Sequence, residues 1–223
     1  MEPHRPRDID SFALAFLQRL QDDPNAGAFV LGGYFALKHY LDYRTTNDID
    51  AWWAAGVESE ALEAMRAAFR ATAEQFGRQY RERSWGDTVS LEAWDEDRKA
   101  FSFQVAERDV ELARPVKGLW GNIAVESIDD NVGAKMSALV TRGAPRDFVD
   151  IKAIVDSGIA TVDGCWSLWL RKNPSATLEY GKMAVQNNLA ALIARTPLQS
   201  LPAERRGAAS ALRSWFRNTF ALL

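Results

Sequence analysis

The chain has 223 residues, 47% of them apolar, with 27 basic side chains against 30 acidic ones. That length and apolar content suit one large domain, or a domain with a helical appendage, and exclude a disordered tail. The near balance of charge excludes a uniformly basic surface of the kind that coats nucleic acid. One cysteine and two histidines exclude a disulfide framework and a zinc site built from these residue types. Cys165 and His39 lie beside apolar residues, so we predict that Cys165 is in the core and that His39 is packed or half-buried.

The N-terminal segment lacks the apolar core of a secretory signal, and no apolar run in the sequence is long enough to cross a bilayer. We therefore expect a soluble cytoplasmic protein with no membrane partner. Apolar positions at helical spacing predict a first helix over residues 12–20, capped by an Asp or Ser just before it. Short apolar runs predict buried strands at 28–31 and 48–53, with one or two helical turns at 34–40 between them. An amphipathic pattern then predicts a long helix over 58–76.

The middle of the chain alternates short runs of β-forming residues with turn signals. These runs predict strands at 80–83, 89–94, 100–105 and 110–113. After residue 125 the pattern is helical, and Gly and Pro breakers divide it into about five helices. This order predicts an α/β or α+β fold, in which a core sheet is flanked by helices and followed by a C-terminal helical bundle. We place the α/β core at residues 1–125 and the helical region at 126–223.

The pattern Asp-x-Asp occurs three times, and only one occurrence lies in an apolar context. Residues 8–10 precede a helix and are typical of a cap, and residues 95–97 are typical of a solvated hairpin turn. Asp48 and Asp50 instead open the predicted strand 48–53, where side chains two residues apart share a face. Two carboxylates held together at the end of a buried strand repel each other, and a divalent cation removes that cost. Magnesium prefers such oxygen ligands, together with substrate phosphates.

Gly32 and Gly33 end the first predicted strand, about fifteen residues before the two aspartates. Glycines let a main chain approach a phosphate closely, and the start of the following helix offers main-chain N–H groups. A glycine pair alone is common in tight turns. In combination with the Asp-x-Asp strand it predicts one segment that holds nucleotide phosphates and another that holds metal ions.

Two stretches carry a resemblance to a known family. Val30-Leu31-Gly32-Gly33, followed by Arg44-Thr45-Thr46-Asn47-Asp48-Ile49-Asp50, resembles the signature of the polymerase-beta-like nucleotidyltransferase superfamily. Residues 133–151 are similar to the pattern K-x-x-A-L-x-x-R-x-x-x-R-D-x-x-D of the AbiEii/AbiGii-type abortive-infection toxin nucleotidyltransferases. The chain departs from the family at Tyr34, where members commonly have Ser or Thr directly after the glycine pair.

This resemblance implies a polymerase-beta-like core and transfer of a nucleoside monophosphate from a nucleoside triphosphate to an acceptor hydroxyl. One or two Mg²⁺ ions would be held by Asp48, Asp50 and a third carboxylate on a later strand, and Gly32 and Gly33 would face the phosphates. For the third carboxylate we prefer Glu111; Asp109 is the alternative on the same face, and Glu92 a weaker one. Toxin members of the family modify RNA, including tRNA ends, and are paired with an antitoxin, so the resemblance also implies these partners.

The second motif supplies the remaining candidates. By resemblance, the Lys135 ammonium neutralises a nucleotide phosphate, and Arg142 and Arg146 also contribute to nucleotide binding. Asp147 and Asp150 lie three residues apart and share a helix face. They pair with Arg142 or Arg146 at the helix start, or one of them orients Lys135 or the nucleotide for catalysis.

Residues 195–223 contain five arginines and one acid, which gives this segment a formal charge of +4. A basic helix on a net-acidic protein suits a nucleic-acid backbone or an acidic partner protein, and a solvated helix face has the same composition. Two other functions stay open at this point. The enzyme would transfer nucleotides to a small molecule or a protein, or the fold would be a non-catalytic nucleotide-binding or regulatory relative.

Overall fold

A computed structural model describes residues 2–56, 59–107 and 110–222. The chain divides into two compact units, Met1–Asn131 and Val132–Leu223, and the division falls within one helix. The boundary predicted from the sequence lies a few residues earlier, after residue 125.

The described part of the first unit contains one seven-stranded mixed sheet. Its strands are β1 (Phe29–Leu31), β2 (Asp48–Trp53), β3 (Gln79–Trp85), β4 (Thr88–Asp95), β5 (Arg98–Ala106), β6 (Val116–Trp120) and β7 (Ile123–Val125). Their spatial order is β3-β4-β5-β2-β1-β7-β6. β2 lies at the centre, antiparallel to β1 and parallel to β5, and β1 is parallel to β7.

Three α-helices accompany the sheet: α1 (Ser11–Leu20), α2 (Gly33–Leu37) and α3 (Ser59–Gln75). Asp10 caps α1 by accepting hydrogen bonds from the main-chain N–H groups of the next turn, as the sequence predicted. α3 agrees with the predicted helix, whose start at Glu58 lies outside the described residues. The apolar faces of α1 and α3 pack on one face of the sheet, where for example the Phe16 and Phe103 rings are 4.9 Å apart. Burial of aromatic side chains contributes to the apolar driving force for folding of this unit.

The sequence prediction of a strand over 110–113 is wrong. Residues 110–113 lie in a loop, and the strand that follows is β6, which the sequence analysis did not predict. The main-chain N–H groups of Leu112 and Ala113 donate to the buried carboxylate of Asp130, each at 2.9 Å, rather than to a neighbouring strand. A tertiary hydrogen bond has therefore replaced the sheet ladder that the apolar alternation favoured.

His39 is buried in the core of the first unit, which confirms the sequence prediction. Its Nδ1 lies 2.8 Å from the Phe35 carbonyl oxygen, and Trp120 Nε1 donates to its Nε2 at 2.8 Å. Nε2 accepts a hydrogen bond from the indole N–H and therefore carries no proton. Nδ1–H must then be the donor to the Phe35 carbonyl, and the ring must be neutral. Burial lowers the pKa of His39 to about 4.

We expect acid to weaken the first unit through His39. The ordinary pKa of this side chain is near 6.5. Between about pH 6.5 and 4, His39 is therefore protonated in the unfolded state but stays neutral in the folded state. Stability is therefore fully present above about pH 6.5 and falls by up to about 3 kcal/mol as the pH drops to 4. The free energy of urea unfolding, measured over this range, checks the slope. His39→Gln should remove this part of the slope, whereas His4→Gln, at an exposed histidine, should keep it; an unchanged slope in His39→Gln contradicts the prediction.

The described part of the second unit is helical, and the prediction of about five helices after residue 125 is confirmed. They are α4 (Ile128–Thr141), which crosses the division, α5 (Pro145–Asp156), α6 (Val162–Lys172), α7 (Leu178–Arg195) and α8 (Ala203–Trp215). Aromatic contacts such as Phe148 with Phe216, 4.9 Å between ring centroids, build the core of this unit. Cys165 is buried, as predicted, and burial raises the pKa of its thiol to about 12. Within the described residues, no helix combines the length and apolar character needed to cross a membrane.

Candidate active site

Asp48 and Asp50 lie on the face of β2 opposite the apolar core. Ile49 and Ala51 are buried beneath the sheet, whereas the two carboxylates are only partly buried. This alternation follows the strand period of two and agrees with the sequence expectation. The two aspartates therefore share one face of the central strand.

The glycine turn after β1 is in direct contact with Asp50. Antiparallel pairing sets Leu31 opposite Ala51, so that the Gly32 N–H donates to the main-chain oxygen of Asp50 at 2.8 Å. Gly33 adopts φ +59°, and a Cβ built there would lie only 2.8 Å from Asp50 Cγ. Only glycine satisfies both the left-handed conformation and the close approach. The turn that would face phosphates and the carboxylate that would face metal thus form one contiguous surface.

Tyr34, the departure from the family pattern, holds the loop that leads into β2. Its hydroxyl donates to the Arg44 carbonyl at 2.9 Å and accepts from the Arg44 N–H at 2.8 Å. Arg44 also stacks its guanidinium over the Tyr34 ring, 3.5 Å from the centroid. Burial raises the pKa of Tyr34, which keeps the hydroxyl protonated and able to donate. At the end of this loop, Thr46 Oγ1 donates to Asp48 Oδ1 and thereby orients that carboxylate.

The strands beside β2 extend the polar face. Ser102 and Gln104 of β5 pair with Asp48 and Asp50, and Glu92 of β4 pairs with Ser102. Glu92 is therefore two strands from Asp48, which corresponds to about 10 Å between main chains. Its carboxylate accepts from Trp94 Nε1 at 2.9 Å. This bond ties Glu92 to its own hairpin.

Glu111, the preferred third carboxylate, is exposed and lies in the loop between β5 and β6. Asp130, which is fully buried, holds this loop through Leu112 and Ala113 and also accepts from Ser127 Oγ at 2.7 Å. Among the residues that the structure describes, no three His, Cys, Asp or Glu side chains come together as a metal-binding group. Glu111 is thus not grouped with Asp48 and Asp50, and its role as a metal ligand stays a prediction. Asp109 lies outside the described residues.

Two buried polar residues near the glycine turn were missed by the sequence analysis. Glu126 directly follows β7, and its N–H donates to the Leu31 carbonyl at 2.9 Å. Asn131 Nδ2 donates to Glu126 Oε2 at 3.0 Å and to the Gly33 carbonyl at 2.8 Å. The only sequence signal is that the acidic residue Glu126 directly follows an apolar strand, whereas Asp48 stands at the start of its strand.

In the second unit, Lys135 and Asp150 form a buried ion pair. Lys135 Nζ lies 2.7 Å from Asp150 Oδ2, and the two residues are 8% and 0% exposed. α4 and α5 supply one partner each. Of the two aspartates that the sequence left undecided, Asp150 is therefore the one that orients Lys135.

Asp147 makes the other contact that the sequence left open. Its carboxylate receives two parallel hydrogen bonds from the Arg142 guanidinium, at 2.8 and 2.9 Å. It also accepts from the Ala144 N–H at 2.9 Å and so caps the start of α5. Arg146, one residue earlier, is exposed. The participation of Asp147, Arg142 and Arg146 in nucleotide transfer stays a prediction.

Arg206 and Arg213, two of the five arginines near the C-terminus, donate to main-chain oxygens of their own unit. Arg213 is buried and donates to the Thr196 carbonyl at 2.6 Å, and Arg206 donates to the carbonyls of Leu201 and Gln199, both at 3.0 Å. The Arg206 bonds go to the segment just before α8, and the Arg213 bond goes to the end of α7. Arg195, Arg205 and Arg217 are exposed, and binding of RNA by this segment stays a prediction.

A mixed sheet with a glycine turn against an Asp-x-Asp strand, followed by helices, defines a nucleotidyltransferase-like α+β fold. A family comparison matches residues 15–212, most of the chain, to the family described as nucleotidyl transferase AbiEii toxin of type IV toxin–antitoxin systems. The chain belongs to this family. Membership indicates a nucleotidyltransferase toxin and implies a nucleotide substrate and a cognate antitoxin. A comparison with curated proteins finds no matching relative.

Proposed function

We propose that this protein transfers a nucleoside monophosphate from a nucleoside triphosphate to a hydroxyl of RNA, with tRNA as the first acceptor to test. The observation that carries the proposal is the contact between Gly33 and the Asp50 carboxylate. A close main-chain approach for phosphates and an acidic group for a divalent cation are thereby side by side. The cytoplasm, where tRNA and nucleoside triphosphates occur together, is the proposed site of action.

The residues of the first unit suit magnesium. Asp48 and Asp50 offer hard oxygen ligands on one face, and one or two carboxylates plus substrate phosphates are the usual set for this ion. The observed contact of Asp50 with the glycine turn supports this fit. When bound, the ion would neutralise phosphate charge and activate the acceptor hydroxyl. Thr46 orients Asp48, and the bent main chain at Gly33 leaves no side chain between the turn and Asp50.

Lys135 contributes a positive charge to the mechanism. Its ammonium is held by Asp150 rather than left to move in solvent. A charge that is already oriented stabilises the negative charge that develops on the phosphates without further reorganisation. In this proposal Asp150 is a positioning residue for Lys135, and the Lys135 ammonium neutralises charge on a nucleotide phosphate.

Incubation of the purified chain with magnesium and each α-³²P-labelled ribonucleoside triphosphate tests the proposal. Parallel reactions contain total tRNA, an aminoglycoside mixture, or no added acceptor. We expect label on tRNA, with little on the protein or the small molecules. Label on the protein or on an aminoglycoside would redirect the proposal to another acceptor. Absence of transfer to every acceptor, with the cognate antitoxin also absent, would contradict catalysis and favour a binding or regulatory role.

A further inference from the structure

A buried amide at the start of α4 holds the main chain of the glycine turn. Asn131 Nδ2 donates both of its protons, one to the Gly33 oxygen and one to Glu126 Oε2. Because both partners are acceptors, the nitrogen of the amide must face them. Asn131 Oδ1 is left buried with no hydrogen-bond partner among the described residues. A buried acceptor without a partner costs free energy. We therefore attribute the presence of an amide at this position to its two donated hydrogen bonds, which offset that cost.

Holding the Gly33 carbonyl fixes more than one atom. In a trans peptide the C=O and the following N–H point in opposite directions within one plane. The bond from Asn131 therefore sets the plane of the peptide between Gly33 and Tyr34. Glycine samples many conformations, so a turn at φ +59° depends on such contacts to keep one geometry.

Glu126 in turn orients Asn131. Both side chains are almost completely buried, at 1% and 0% exposure. The N–H of Glu126 donates to the Leu31 carbonyl, one residue before the glycine pair, so its own position is tied to the end of β1. Glu126, Asn131 and Gly33 thus form a continuous chain of hydrogen bonds that runs from the end of β1 to the glycine turn.

We infer that Asn131, oriented by Glu126, is a positioning residue for binding of the triphosphate. The inference rests on the proposed function, in which the glycine turn faces phosphates. Asn131 acts through Gly33 and does not itself touch nucleotide. Loss of the Asn131 side chain should weaken binding of a ligand more when that ligand places more phosphates at the glycine turn.

Calorimetric binding of non-hydrolysable α,β-methylene ribonucleoside triphosphates, and of the matching monophosphates, tests this inference without catalysis. Asn131→Leu keeps the volume and removes both donors. We expect triphosphate binding to weaken about tenfold or more, and monophosphate binding to change less than about twofold. Glu126→Gln keeps an acceptor for Asn131 and should bind triphosphate like the wild type, whereas Glu126→Leu should be weakened like Asn131→Leu. The matched control is Asn122→Leu, because Asn122 also donates to a main-chain carbonyl, that of Asp23, outside the glycine turn.

Each alternative result has a distinct meaning. A folded Asn131→Leu variant that binds triphosphate like the wild type overturns the inference, and so does equal weakening of triphosphate and monophosphate. If Asn131→Leu does not fold, equal triphosphate binding by Glu126→Gln and Glu126→Leu overturns it instead. Failure of the proposed function looks different: the wild type itself would bind no triphosphate.

Discussion

Replacing Asp50 with Asn should reduce nucleotide transfer by about 10³-fold or more, which corresponds to about 4 kcal/mol of transition-state stabilisation. Asparagine keeps the shape of the side chain against Gly33 and removes its charge. The hydrogen bond from the Gly32 N–H goes to the main-chain oxygen of Asp50, so the substitution leaves it intact. Asp48→Asn should have a similar effect. Initial rates of label transfer, measured at saturating triphosphate, give the comparison.

The control for charge removal is Asp97→Asn. Asp97 belongs to another Asp-x-Asp pattern but is exposed in the turn between β4 and β5, so its transfer rate should match the wild type. Thermal unfolding should show both Asp50→Asn and Asp97→Asn folded. An Asp50→Asn variant that retains wild-type transfer would remove the candidate site.

Magnesium binding gives a second readout for the same aspartates that does not depend on turnover. An ion that binds only the folded state stabilises it by about 1.4 kcal/mol at ten times its Kd. We therefore expect added magnesium to raise the unfolding temperature of the wild type and of Asp97→Asn, and EDTA to reverse the shift. In Asp50→Asn the shift should be reduced or lost. An equal shift in all three proteins would mean that magnesium binds elsewhere.

Local sequence patterns predicted which side chains share a face of a strand better than they predicted which strands pair with each other. Asp48 and Asp50 share a face because the strand period is two, and this required no tertiary information. The contact of Asp50 with Gly33 depends on antiparallel pairing of β1 and β2, in which Leu31 is opposite Ala51. Nothing in either segment alone specifies that register, so the sequence could predict both halves of the site but not their contact.

The strand predicted over residues 110–113 is wrong for the same reason, because a tertiary contact decides the structure there. Alternating charged and apolar residues there satisfy the pattern of a half-buried strand, but the competing acceptor is Asp130, far along the chain. A buried carboxylate that accepts from two consecutive N–H groups outweighs a weak local preference. In the second unit, spacing correctly put Asp147 and Asp150 at the start of α5. Asp150 pairs with Lys135 and Asp147 pairs with Arg142. This choice depends on how the helices pack, which the sequence spacing does not specify.

Lys135→Met should both destabilise the second unit and abolish transfer. The substitution leaves the Asp150 carboxylate buried without the ammonium 2.7 Å away. Removing one partner of a buried ion pair costs about 3 kcal/mol or more, because the other charge stays desolvated. Cys165 reports the loss directly. Its thiol is the only one in the chain, is buried and has a raised pKa, so it reacts with a disulfide reagent only when the second unit opens.

The double variant Lys135→Met/Asp150→Leu separates structure from catalysis. Replacing both partners by apolar side chains removes the buried carboxylate together with the ammonium, so much of the lost stability should return and Cys165 should again react slowly. Transfer should not return, because the proposed role of Lys135 needs its positive charge. Lys152→Met is the matched control: Lys152 pairs with Asp156 on the surface of α5, where an ion pair is worth less than about 1 kcal/mol. A stable double variant that regains transfer would make the Lys135–Asp150 pair a purely structural feature of the second unit.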